Sequence, residues 1–394
     1  MWNDMIGRKK ASYKSKPMKI LFIVMRFGKD GLATNIAELA DGLVNKGHEV
    51  HIVTGGFREL KDQDNTFFSS LRQRFSNLGI QLHYFKEPQG GMLTKGYGSI
   101  KSLVQIVFWI YKINADVIHC HSPNLTFIPW LLGKKFTSTV HADTIRPNAR
   151  YKHPNLLIAV SEGSKEFTKT VMHTPPESIR MVYHGISERF SETETKENLE
   201  RLRQLHDIPK NKIIIGLVGR ITQQKGTDIM VKALGAFMPK ELVEKIFVVI
   251  VGDYQTPKHK PWLDGLLEEY HLTGKFKVLG FQDPKPFYQL FDVFVLPSRS
   301  DTFGLVAVEA MMGGCCTIRS NGNGASDQIT HGMNGMIFPM EDSEQLGKQL
   351  TEVLTNDPLR NSMALKGKEK ALECFTLEKM TSNTLKVYEE LIAL

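Results

Sequence analysis

The sequence predicts an α/β protein built from two doubly wound parallel sheets, and three observations support this. Short apolar runs alternate with amphipathic helical stretches, the pattern of parallel strands buried on both faces. The two halves open alike, with a strand, a short turn and a helix, over Ile20 to Val44 and again over Ile213 to Ala236. Between them lies Ser187 to Lys212, crowded with Glu, Lys, Arg and Thr and poor in apolar periodicity before Leu199. A chain of 394 residues also exceeds one ordinary core, so two domains of roughly 150–200 residues follow.

In chain order, residues 1–17 read as a flexible basic leader, with Arg8, Lys9, Lys10, Lys14 and Lys16 against Asp4. Residues 18–190 form the first domain, with strands expected at Ile20–Met25, Val50–Thr54, Val117–Cys120, Thr137–Val140 and Leu156–Val160. Residues 191–211 link it to a second domain, 212–376, with strands at Ile213–Val218, Phe247–Val251, Lys277–Leu279 and Val293–Leu296. The last stretch, 377–394, reads as a helix that docks back on the first domain.

Composition excludes several classes. The four cysteines have no regular spacing and no secretory signal accompanies them, so a reducing cytosol is expected rather than a disulfide scaffold. The run Leu103 to Ile113 is about half the length of a bilayer crossing and contains Gln105 and Lys112, so it is expected as a core helix. Phe67, Phe68, Phe108, Trp109 and Tyr111 are likewise expected in the core, and Cys315 and Cys316 at a helix end. His119, Cys120 and His121 resemble metal ligands, but on a strand the histidines face one way and the cysteine the other, so no metal site is expected. The net charge is +8. The leader can lie against anionic lipid headgroups at about 1 kcal/mol per base, contact nucleic acid, or stay solvated. No nucleic-acid signature accompanies it, so no such partner is expected.

The most informative segment is Pro297-Ser-Arg-Ser-Asp-Thr-Phe-Gly-Leu-Val-Ala-Val-Glu309. It reads as a strand end, a turn and a helix from Gly304 whose side chains are apolar on several faces. An ionised Glu309 there costs several kcal/mol unless it is paired, and ligand hydroxyls are a sufficient partner. Asp301 falls in the turn before the helix, where free N–H groups also receive anionic oxygens. Two readings stand: a ligand site, or an N-cap at Asp301 with a buried ion pair at Glu309. The turn after Ile213–Val218, Gly219-Arg220-Ile-Thr-Gln-Gln-Lys225-Gly226, offers a guanidinium fork, an ammonium group and close backbone approach. It is either a diphosphate clamp or ordinary surface. Cations for a diphosphate beside carboxylates for hydroxyls describe a nucleotide-sugar pocket.

These residues, with Ile329-Thr-His-Gly332-Met-Asn-Gly335-Met-Ile-Phe-Pro339, resemble the retaining glycosyltransferases of family 4, which have the GT-B fold of two Rossmann-like domains facing a central cleft. Gly47-His-Glu-Val50, Asp116-Val-Ile-His-Cys-His121, Val140-His141, Val160-Ser161 and Tyr183-His184-Gly185-Ile186 agree, so the resemblance runs from about Lys19 to Leu394. It implies that Arg220 and Lys225, with the glycine loop at Gly31, hold the donor diphosphate. Glu309 matches the ribose-binding second carboxylate of the family's Glu-x7-Glu motif, and Asp301 takes the place of the first Glu, near the donor sugar. Amides around Phe303, Gly304 and Leu305 would reach sugar and phosphate, and His141 matches a histidine facing the reacting sugar; His141 and Asp301 are the expected catalytic residues. The departures are Asp for the first Glu, the loop Gly28-Lys-Asp-Gly31 without adjacent glycines, and Asp327 where many relatives have Glu.

The expected function is transfer of a sugar from a UDP- or GDP-sugar to a glycan or lipid-linked acceptor with retention, without metal or cofactor, in bacterial surface polysaccharide or glycolipid synthesis. The expected location is cytoplasmic, peripheral on the inner membrane face. The alternatives are a nucleotide-sugar epimerase or sugar phosphorylase on the same fold, or an inactive binding protein.

Overall fold

A computed structural model describes residues 16–59, 65–87, 92–143, 148 and 150–394, with backbone alone for 92–97. Most of the basic leader lies outside them, as do parts of the Phe57–Phe68 and Asp143–Arg150 loops. Among the described residues the first sheet comprises β1 (Lys19–Val24), β2 (Glu49–Thr54), β3 (Gln81–Tyr84), β4 (Val117–Cys120), β5 (Thr137–Val140), β6 (Leu156–Ala159) and β7 (Ile179–Met181). The second comprises β8 (Ile213–Val218), β9 (Ile246–Val251), β10 (Phe276–Val278), β11 (Val293–Leu296), β12 (Cys316–Ser320) and β13 (Met336–Phe338). The orders are β3-β2-β1-β4-β5-β6-β7 and β10-β9-β8-β11-β12-β13, and β1 runs parallel to both neighbours, with Ile20 in register with Val50 and Val117. β8 likewise lies parallel to β9 and β11. Parallel strands need helical crossovers that cover both faces, which is why Ile20 to Val24 are all buried.

Both sheets reverse their winding beside their first strand, between β1 and β4 and between β8 and β11. Ligands of doubly wound sheets bind at these switch points, beyond the strand carboxyl ends. The turns after β1, β8 and β11 carry Gly31, Lys225 and Asp301.

Two expectations change. Cys316 opens β12 instead of ending a helix, because the helix Leu305–Gly313 stops at Gly314 in the left-handed region (φ 86°). The helix Met92–Ile113 buries Ile106, Ile110 and Ile113 against the first sheet but leaves Phe108 and Tyr111 exposed. The polar stretch between the halves holds a helix, Lys196–Leu205, whose Thr195 cap accepts from the Asn198 amide and whose Leu199 and Leu202 pack on the second core.

The helix Leu377–Ala393 packs on the helix Gly31–Asn45 and contributes Met380, Leu385, Val387, Tyr388 and Leu391 to the first core. The chain thus passes between domains twice. Both crossings meet where Ile186 pairs with Thr376 and its amide donates to the Phe375 carbonyl at 2.8 Å.

Candidate functional site

The turn after β8 is fixed by its own side chains. Thr222 Oγ1 accepts from the Lys225 amide at 3.1 Å, and Gly226 follows in the left-handed region (φ 71°). A Cβ on Gly226 would lie 1.9 Å from the Pro297 carbonyl oxygen, so only glycine lets this turn lie against the end of β11. Arg299 completes the join by gripping Asp228 through both terminal nitrogens, at 2.8 and 2.7 Å. Lys225 Nζ thereby reaches Asp301 Oδ2 at 2.8 Å, in a half-buried ion pair. Arg220 stays exposed at the same turn, with no ion-pair or hydrogen-bond partner among the described residues.

Asp301 is not the helix cap. The N-cap of Leu305–Gly313 is Gly304 (φ 79°), and no side chain caps it. The amides of Phe303, Gly304 and Leu305 donate to no described group, leaving the positive end of the helix open beside Lys225. The Phe303 side chain itself is core, packed against His184, Tyr183 and Phe375. Four residues into the helix, Glu309 Oε2 accepts from the Tyr288 hydroxyl at 2.7 Å. Among the described residues it has no ion pair within bonding distance; burial pushes its carboxyl up to about 7, against the pull of the Tyr288 hydroxyl and Arg189.

On the first domain, β5 delivers His141 into a row of imidazoles. His141 Nε2 is 3.0 Å from His121 Nδ1, and its ring lies nearly parallel to that of His184, centroids 5.3 Å apart. The stack ends at His119, which bonds Tyr388 and Thr139 at 2.7 and 2.8 Å. Burial drives His119, His121, His141 and His184 well below the usual imidazole range, so all four are neutral near pH 7. His121 Nε2 and His141 Nδ1 are buried without a partner.

The halves meet around Thr302. Its Oγ1 accepts from the Asp143 amide at 3.2 Å, and its carbonyl accepts from Ser161 Oγ at 2.8 Å. Asn323 Nδ2 donates to Asp143 at 2.6 Å, and Tyr183 donates to Asp327 at 2.9 Å. A Cβ on Gly31 would lie 2.9 Å from Leu305 Cδ1, so the two domains touch closely there too. Arg319 of β12, 1 % exposed, braces the turn from behind by donating to the Phe303 and Asn323 carbonyls at 2.9 and 3.2 Å and to Gln328. Sequence reasoning missed Arg319, although a lone arginine inside Cys-Thr-Ile-Arg-Ser was its signal. It also missed Asp143, Thr302 and Asn323, whose pairing no local pattern shows.

Glu38 was missed as well. It is 7 % exposed on the helix Gly31–Asn45, and burial, with a smaller push from Glu309 across the cleft, raises its carboxyl to about 8. Native Glu38 and Glu309 keep their protons above the ordinary value of 4.5, so folding stability falls as pH rises from about 4.5 towards 8. Thermal unfolding at pH 5 and pH 8.5 is expected to show Glu38→Gln gaining on the parent only at the higher pH. Parallel curves would refute this.

Two facing doubly wound domains, with cations, carboxylates and open helix amides gathered where their strands end, define a two-domain α/β protein of GT-B type. Residues 29–190 match the model of Glycosyltransferase Family 4, and residues 198–370 match that of Glycosyl transferases group 1. The chain belongs to this glycosyltransferase family. It is 24 % identical over 383 residues to an uncharacterized glycosyltransferase of Methanocaldococcus jannaschii, covering 91 % of this chain and 94 % of the relative. A glycosyltransferase from Rickettsia africae superposes with a TM-score of 0.81 at 20 % identity, over 96 % of this chain and 99 % of its own. The Anabaena protein HepE, solved with UDP and glucose, gives 0.78 at 17 % identity, over 94 % and 99 %. At such identities the structures establish the fold alone.

Proposed function

We propose that the protein is a retaining glycosyltransferase that moves a sugar from a UDP- or GDP-sugar to a hydroxyl of a glycan or lipid-linked acceptor, in bacterial surface polysaccharide or glycolipid synthesis on the cytoplasmic side. The observation that carries this reading is the Lys225–Asp301 pair at 2.8 Å, set beside exposed Arg220 and the unused amides at 303–305. An incoming diphosphate takes Lys225, Arg220 and the helix end as its partners and frees Asp301 for the donor sugar. Those preorganised charges stabilise the departing diphosphate, and the reading calls for no metal or cofactor. Glu309, held by the Tyr288 hydroxyl, receives ribose hydroxyls. His141, neutral, faces the reacting sugar, and the leaving phosphate assists removal of the acceptor proton on the same face. HepE's bound UDP and glucose support the UDP-sugar option.

Thermal shift with UDP-, GDP-, ADP- and CMP-sugars tests the pocket. A rise in unfolding temperature with one nucleotide family, lost in Glu309→Ala and Lys225→Ala, is the expected result. No rise with any of them would sink the donor assignment.

A further inference from the structure

His121 follows β4 and is 3 % exposed, with its amide donating to the Ile23 carbonyl at 3.0 Å. Phe22 stands edge-on to its ring, centroids 4.6 Å apart, and His119 stacks on it at 3.9 Å. Both nitrogens of His119 are already engaged, by Tyr388 and Thr139, so that ring offers His121 Nε2 no partner. Among the described residues the His121 ring makes one hydrogen bond, which joins its Nδ1 to His141 Nε2 at 3.0 Å. The two outer nitrogens of the pair, His121 Nε2 and His141 Nδ1, are buried and unpartnered. His184 lies within 6° of parallel to the His141 ring and holds its plane by stacking.

We infer that His121 is a positioning residue that fixes the tautomer of His141, making His141 a hydrogen-bond donor through Nδ1 towards an oxygen of the donor sugar. Burial keeps both rings neutral near pH 7, so each carries one proton, and one of the two must lie between the rings to join two nitrogens at 3.0 Å. If His141 supplied it, the His121 proton would sit on Nε2, an N–H sealed between Phe22 and His119 with no acceptor, and such orphaned donors are rare in protein interiors. If His121 supplies it, its Nε2 is a bare nitrogen, which costs less to bury alone, and the proton of His141 is left on Nδ1. His141 then has an N–H to offer, while its lone pair is already taken by His121. The ring cannot receive the acceptor's proton, and the leaving phosphate remains as the destination for it. The inference rests on the proposed place of His141 beside the reacting sugar, but the tautomer belongs to the free protein and is read without any donor.

Imidazole nitrogen NMR on histidine-labelled full-length protein, recorded without nucleotide near neutral pH, reads the tautomers directly, with His121→Asn and His141→Asn assigning the two rings. Both rings are expected to carry their proton on Nδ1; a proton on Nε2 of either overturns the inference. In donor turnover, His121→Leu should lower kcat roughly tenfold or more with donor KM little changed, and His121→Asn, whose amide N–H takes the place of the imidazole Nδ1–H, should restore most of the rate. A packing role alone would lower the unfolding temperature of both variants and leave their rates alike. That result, or the parent's kcat in His121→Leu, also overturns the inference. If no nucleotide sugar stabilises the parent, the donor reading fails and the role of His141 goes with it, whereas the wrong tautomer in a protein that binds donor sinks the inference alone.

Discussion

Lys225→Ala is expected to lower kcat/KM for donor turnover by roughly 10²–10³-fold, the usual loss when one preorganised group facing a developing negative charge is removed. The ammonium group has two duties, and the substitution separates them. In the free protein it neutralises Asp301 at 2.8 Å, a half-buried pair whose loss costs little stability because water still reaches both groups. With donor bound, it would answer charge on the leaving diphosphate, where no other described side chain at the turn replaces it except Arg220. Lys225→Arg should recover part of the rate, and Asp301→Asn should not reproduce the loss of donor affinity. If Lys225→Ala stays within about threefold of the parent, the ammonium group serves only as counter-ion to Asp301.

This site shows what sequence can carry. Both members of the pair stood out, Lys225 in a glycine-bounded turn and Asp301 ahead of an apolar helix, yet they are 76 residues apart, and no periodicity says that two loops meet. The fold class was more legible, because continuous runs such as Ile20-Leu-Phe-Ile-Val24 have few homes other than a covered parallel strand. The strands that escaped are short or polar. β7 and β13 have three residues each, β3 is an edge strand reading Gln-Leu-His-Tyr, and β12 hides its pattern behind Thr317 and Arg319. Phe108 and Tyr111 misled for the opposite reason: a helix apolar on both faces looks like core until one face is found in water.

Arg319→Leu is expected to destabilise the second domain by about 3–5 kcal/mol, as when one partner of a buried charged network is lost. The guanidinium is charged despite burial, which lowers it from its ordinary value to about 10, and Asp301 and Asp327 help to hold the proton. Removing it leaves the Asn323 carbonyl and Gln328 Oε1 without this donor and the Phe303 carbonyl with Gln328 Nε2 alone, and frees the turn that presents the 303–305 amides. The unfolding midpoint should drop by roughly 10 °C or more, and donor affinity should fall in protein still folded at low temperature. A loss under 1 kcal/mol would mean that water enters and takes over these bonds.

The helix Leu377–Ala393 has a consequence for biosynthesis. Tyr388 is fully buried in the first core and bonds His119 at 2.7 Å, yet the ribosome makes it after the whole second domain. The first domain therefore emerges early but with a groove along the helix Gly31–Asn45 and β4 that stays unfilled for more than half of translation. A chain halted before residue 377 would expose that groove, making the nascent first domain a client for chaperones until its own distal helix arrives.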